Sequence, residues 1–290
     1  MAFADKLKSN DFCYLAEMET PKGVDLSGFV SNARHLKGRI DAVLVPDLSH
    51  AVMRLSALAG AVVLKDLGLE TIVQFSCRDR NRLALQGDLL AAHVLGLGNV
   101  MATEGEALEL GDQPGARAVA DLSPTQFLEA AVSLSQGRDL GGRELAGRPS
   151  FCLGAAIGPW GDADEAARRA QEARDAAARG ASFLIAPPVF DLDDFAAFAR
   201  QLEGVDAVLL ASVLLLKSVG MARYLNQNLP GVSISEETIR RIRTASDRPA
   251  EGVKIAAETV QGLKDICGGA LLVTAGWEDR LPEILDLASR

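Results

Sequence analysis

A chain of 290 residues, 48% hydrophobic and 24% charged, has the material for a large core and excludes a disordered or low-complexity polypeptide. Thirty basic against thirty-nine acidic side chains leave a formal charge of −9, which argues against a nucleic-acid partner because no Lys/Arg stripe stands ready for phosphates. The opening Met1-Ala-Phe-Ala-Asp-Lys-Leu-Lys8 has no apolar h-region, and runs such as Val213–Leu216 are far too short to span a bilayer, so a cytoplasmic chain with no membrane partner is expected.

In chain order, short apolar or β-branched runs predict strands over 12–18, 40–46, 71–76 and 99–103, then 151–157, 183–187, 207–213 and 270–275. Between them, helical patterns cover 25–36, 48–66, 80–95, 123–135, 163–179, 191–202, 217–228, 235–245 and 250–266, with a last helix over 279–288. Asp47 or Ser49 is placed to cap the helix over 48–66, Ser123 precedes a proline at a first helical position, and Gly180 follows 163–179 as a C-terminal glycine. Segments 104–122 and 137–149 read as the two long loops. Eight strands, each followed by helix and without a linker, predict an α/β chain folded as a single (β/α)8 (TIM) barrel domain over 1–290. The four cysteines lack CxxC pairing and a histidine at ligand spacing, so reduced thiols and no metal site are expected.

In such a barrel the chemistry belongs to the loops after the strands, so polar residues at strand ends are the ones to weigh. Glu17 and Glu19 close the first strand at i and i+2, which points both inward. A carboxylate buried there has its pKa raised and can act as a general acid, whereas a salt-bridged one is a rim acid. The run Cys77-Arg78-Asp79-Arg80-Asn81-Arg82 suits either an anionic ligand or a rim ion-pair network. Gly105, between Glu104 and Glu106, permits a ligand to approach the backbone. His35, His50 and His93 fall on predicted helices, and no histidine neighbours Cys77 in sequence to make it a nucleophile.

Several of these words are shared with a known family. Glu17 before Pro21, Asp41-Ala-Val-Leu-Val-Pro-Asp47, Cys77-Arg-Asp-Arg-Asn-Arg82 and Asp88-Leu-Leu90 resemble the methylenetetrahydrofolate reductases. So do Pro188-Val-Phe-Asp-Leu192, Leu214-Leu-Leu-Lys-Ser218 with Gly220-Met-Ala-Arg223, and Ala275-Gly-Trp-Glu278. The resemblance covers essentially the whole chain and is closest to the short, stand-alone form of anaerobes with a reductive one-carbon pathway. It implies an eight-stranded barrel, FAD in the barrel mouth, and reduction of 5,10-methylenetetrahydrofolate to 5-methyltetrahydrofolate. Glu17 matches the family's general acid. Asp47, Gln74, Cys77, Arg78, Gly105 and Glu106 are implied at the cofactor, and Pro187 and Lys217 at the folate. The electron donor is NAD(P)H or a partner protein, and a homo-oligomer is expected.

The departures from the family matter equally. Pro46 stands where a threonine serves the flavin, Glu106 where an aspartate does, and Ala186-Pro187 where Thr-Gln grips the pterin. Ala176 stands where a lysine meets the cofactor phosphates. Each lost hydrogen bond costs about 1–3 kcal/mol of binding. The alternative is therefore a non-catalytic or altered-specificity paralogue, or a subunit, with weakened hold on FAD and folate.

Overall fold

The computed structural model describes residues 2–9 and 11–289; Met1, the first residue of the opening stretch, together with Asn10 and Arg290, lies outside the described residues. Eight parallel strands close a barrel in sequence order, β1 pairing with β8. They are β1 Cys13–Glu17, β2 Ala42–Val45, β3 Thr71–Ser76, β4 Asn99–Thr103, β5 Cys152–Ala156, β6 Ala181–Pro188, β7 Val208–Leu214 and β8 Gly269–Val273. All eight predicted strands are present. An all-parallel sheet covered by helices buries both faces of each strand, which is why these segments are apolar runs rather than alternating ones.

Eleven α-helices are described: α1 Phe3–Lys8, α2 Ser27–Leu36, α3 Ala57–Asp66, α4 Arg82–Val94, α5 Pro124–Ser135, α6 Ala163–Ala178, α7 Leu192–Arg200, α8 Val219–Asn228, α9 Glu236–Thr244, α10 Arg248–Leu263 and α11 Leu281–Ala288. Two differ from expectation. The short α1 precedes the barrel, and its Phe3 and Leu7 join the inward-facing residues Leu15, Ile72, Phe183 and Leu271, so it stoppers the N-terminal end. The helix expected over 48–66 starts only at Ala57, with Ser56 accepting the Ala59 N–H as its cap. Asp47 and Ser49 cap nothing here, because both side chains are taken by partners across the barrel rim.

Strand parity sets what faces the mouth. Inward positions begin with the apolar layer Leu15, Leu44, Ile72, Met101, Phe183, Leu210 and Leu271. Gly154 belongs to this layer too: a Cβ there would sit 2.1 Å from the Phe183 ring, so only glycine leaves the ring its room. Two residues further along β1 to β5 and β8 the inward positions become Glu17, Pro46, Gln74, Thr103, Ala156 and Val273, and on β6 Pro187 stands two residues beyond inward Ile185. Most of these are half-buried and Ala156 is exposed, as expected of the floor of an open mouth. Among the described residues no helix is long and apolar enough to cross a membrane.

Candidate active site

The floor of the mouth holds one ionisable side chain at its centre. Glu17 ends β1 and points inward with Leu15 beneath it. Enclosure by protein, then the nearby carboxylates of Glu19, Glu106 and Glu278, push its pKa up to about 7. Its side chain makes no hydrogen bond among the described residues, so it is free to meet a ligand. Gln74, inward on β3, is likewise half-buried with an uncommitted amide.

Glu19 lies past the end of β1 and does not share the direction of Glu17. Its carboxylate accepts a 2.6 Å hydrogen bond from Ser49 and pairs with Arg54 at 2.8 Å. It is a rim acid. The loop after β2 that brings Ser49 to it is strained: Leu48, His50 and Ala51 all have φ between 51° and 57°, a region that side chains with a Cβ disfavour. His50 is therefore not helical, contrary to expectation, and sits exposed between Glu19 and Glu106, 3.9 Å from each.

The polar run after β3 is an ion-pair network. Buried Arg78 donates to both oxygens of Asp79 at 2.7 Å, to the Glu106 carbonyl at 2.7 Å and to the Leu48 carbonyl at 3.4 Å. Its own backbone receives the amides of Val119 and Ala120 and donates to Glu104. One guanidinium thus rivets the loops after β2, β3 and β4. Gly105 is needed by this rivet, since a Cβ there would meet Ser76 Oγ at 2.6 Å and Arg78 Cβ at 3.0 Å. The close approach that its glycine permits is by Ser76 and Arg78. Asp47 is buried, accepts the Ser76 amide at 3.2 Å and pairs with Arg80, which also holds Asp88 at 2.9 Å.

Cys77 is placed elsewhere. It points outward into the core between sheet and helices, beside Phe75 and Leu85, and burial raises its thiol to about 11. All four cysteines are free. Lys217, after β7, donates to the Ala275 carbonyl and lies 5.1 Å from the Trp277 ring centre. Desolvation lowers its pKa against the opposing pull of Glu278, Asp279 and Glu19, which places it at the same mouth. The structure therefore gathers Glu17, Glu106 and Lys217 round the opening, with Gln74 on its floor. It sets Asp47 and Arg78 into the rim, and sends Cys77 away.

Pro187 faces a cavity of about 630 Å³ beside the mouth, between the loops after β5 and β6 and the face of α7. Trp160 stacks on Phe198 there at 4.0 Å and donates to Asp194, and Asp162 also lines the cavity. Sequence reasoning assigned no part to Glu278, which reaches the mouth from a turn with φ of 48° at Ala275 and 91° at Gly276. Nor did it find Ser76 and Thr274, whose buried hydroxyl oxygens, like Asp47 Oδ1, have no partner among the described residues. A polar residue directly after an apolar strand was the available signal for the last two.

The donor set suits part of a flavin. Gln74 and the unpartnered Asp47 Oδ1 could serve a ring system, but Pro46 is buried and offers no donor. The diphosphate is not matched. Arg54, Arg78 and Arg80 are committed to carboxylates, and the residues lining the cavity include three aspartates and no Lys, Arg or His. Ala176 is buried in the core near the far end of α6, about 20 Å along the helix from Ala163 at the cavity. Residues present thus fit a ring better than a dinucleotide.

Solved structures share this architecture at low identity. A protein from Clostridium thermocellum that binds two copies of 5-methyl-5,6,7,8-tetrahydrofolic acid is 12% identical, with a TM-score of 0.61 over 99% of this chain and 97% of that one. EDTA monooxygenase (EmoA) from Chelativorans sp. BNC1 gives a TM-score of 0.59 at 11% identity, over 96% and 92% of the two chains. Tryptophan synthase from M. tuberculosis gives 0.51 at 11% identity, over 100% and 98%. These show the fold alone. No curated protein matches the sequence. The family model for methylenetetrahydrofolate reductase matches residues 2–270, nearly the whole chain, and the protein belongs to the methylenetetrahydrofolate reductase family.

Proposed function

We propose that this chain, acting as one barrel domain over 1–290, reduces the one-carbon unit of 5,10-methylenetetrahydrofolate to the methyl level in the cytoplasm. The observation that carries the reading is Glu17: an inward carboxyl at the centre of the mouth, unbonded, with a pKa of about 7. At neutral pH such a group is protonated about half the time, which is what a general acid requires. Family membership and the folate named for the Clostridium thermocellum protein support the substrate class.

The chemistry balances as follows. Glu17 gives its proton to the folate's N10, the aminobenzoyl nitrogen, as the bond from N10 to the methylene carbon breaks, leaving an iminium at N5 of the pterin ring. A hydride from an external carrier, a reduced nicotinamide or the redox group of a partner protein, adds to that carbon. The carrier is oxidised by two electrons, and the Glu17 carboxylate recovers a proton from water. Carboxylates at the mouth suit the amino and ring N–H donors of a pterin, and Lys217 offers the folate's glutamate tail a cationic partner. Of the residues implied at a flavin, Gln74, Asp47 and Glu106 are those with atoms available to one.

A second reading, a folate-binding paralogue or subunit without catalysis, is favoured by Pro46 and Pro187, which leave two inward positions without hydrogen-bonding groups. One experiment separates them. Calorimetry with 5-methyltetrahydrofolate reports binding, and assay with reduced nicotinamide or a chemical reductant reports turnover. Binding with turnover supports the reductase; binding without turnover under every donor supports the paralogue; no binding removes both.

A further inference from the structure

We propose that this mouth admits an unphosphorylated reduced pterin and excludes a tightly held dinucleotide, so that the chain keeps no resident FAD and takes its hydride from a carrier that visits and leaves. The proposal rests on the functional reading above and narrows it.

A resident FAD brings two phosphate charges that need either cations or helix N-termini. Of the helices that begin on the mouth side, α3 to α8 each already satisfy a first-turn N–H with the side chain of their own cap, the first amide of α2 goes to Asp25 at 2.9 Å, and α11 has no side-chain cap. At the cavity this goes further. The start of α6 carries Asp162 as cap followed by Asp164 and Glu165, and the start of α7 carries Asp191 followed by Asp193 and Asp194. Six carboxylates therefore stand where the helix dipoles would otherwise draw an anion, and a phosphate there meets repulsion instead.

The cations tell the same story. Arg54 is held by Glu19, Arg78 by Asp79, Arg80 by Asp47 and Asp88, and Arg169 by Glu165 and Glu172. Turning any of them to a phosphate strips a carboxylate of its partner, and turning Arg80 strips two, buried Asp47 and half-buried Asp88. Lys217, Arg117 and Arg223 are without ion pairs among the described residues, but Lys217 donates to the Ala275 carbonyl and lies over the Trp277 ring, and the exposed charges of the two arginines are screened and weak. A pterin has no such need: its ring is neutral and its donors match carboxylates.

The test titrates the purified full chain by calorimetry with FAD and, separately, with 5-methyltetrahydrofolate. The expected result is folate binding with FAD weaker than about 100 μM, and a colourless protein after incubation with excess FAD. In the triple variant Asp162→Ser/Asp164→Asn/Glu165→Gln, the serine keeps the cap while three charges go. FAD should then tighten about tenfold with folate binding unchanged. FAD bound at about 100 μM or tighter beside folate overturns the exclusion and leaves the functional reading standing. No gain in the triple variant overturns the electrostatic cause. A folded chain that binds neither ligand overturns the functional reading, and this proposal with it.

Discussion

Asp47 and Arg80 form a buried ion pair that joins the end of β2 to the loop after β3. The carboxylate also takes the Ser76 amide at 3.2 Å, so one acid fixes both the backbone and the side chain of the neighbouring strand end. Truncating it leaves a guanidinium with only half-buried Asp88 for company.

Asp47→Ala should therefore cost about 3 kcal/mol, the low end for breaking a buried pair, because Asp88 still faces the guanidinium. Because the two residues act as a unit, Asp47→Ala/Arg80→Met should cost less than the sum of its parts. Urea denaturation of the four proteins measures this. A loss under about 1 kcal/mol for Asp47→Ala would show that water reaches the pair and that it is not structural.

Gly154 gives a prediction about the barrel interior. The Phe183 ring fills the space above it and is itself held edge-on by Phe3, ring centres 5.4 Å apart. It has nowhere to retreat. Gly154→Ala should lose about 2–3 kcal/mol through overpacking, and Gly154→Ala/Phe183→Leu should recover part of it. Thermal unfolding of both checks the pairing; an additive double variant would mean that the two residues do not compete for the same volume.

How the third helix begins can be tested as well. Ser56→Ala should cost about 1 kcal/mol through loss of the α3 cap. Ser49→Ala should leave α3 unchanged, because the Ser49 hydroxyl goes to Glu19 at 2.6 Å. Equal helix fraying in the two variants, read by amide exchange at Ala59 and Gly60, would reinstate the earlier start.

These elements also show what a single sequence reveals. The strands were legible because a parallel sheet buried on both faces must be apolar throughout, and Glu17 stood out as an acid closing such a run. Helix α1 was missed because six residues carry too little periodicity to register. The start of α3 was misplaced because Asp47 and Ser49 look like caps locally, while their partners, Arg80 and Glu19, come from thirty or so residues away in the chain. The role of Arg78 was hidden for a related reason: five of the groups it ties are backbone, which no side-chain pattern encodes. Cys77 was legible only as a position. That its thiol faces the helices follows from the parity of Phe75 before it, a signal present in the sequence and outweighed by its place at a strand end.

The last prediction concerns Glu17 and pH. Its carboxyl is raised from 4.5 to about 7 in the folded chain. Between those values the unfolded chain has already released this proton while the native chain keeps it, so stability falls as pH rises through the window. The contribution is complete below about pH 4.5 and gone above about pH 7. Water at the open mouth softens the effect, which should amount to about 2 kcal/mol. Glu17→Gln cannot ionise and escapes the loss, so it should be more stable than the parent at pH 8 and match it near pH 4.5. Catalysis should move the opposite way: folate reduction in the parent should decline above about pH 7, and Glu17→Gln should lose about 10²–10⁴ in rate with that pH limb abolished. Glu19→Gln is the control. It removes a neighbouring charge without touching the proton donor, so it should shift the limb to lower pH and change the rate at its optimum by less than about tenfold. Urea titrations at pH 4.5, 6, 7 and 8, paired with pH–rate profiles of the three proteins, give both readouts. A parent whose stability rises from pH 5 to 8 relative to Glu17→Gln would mean that the carboxylate is stabilised rather than penalised at the mouth, and Glu17 could not be the acid.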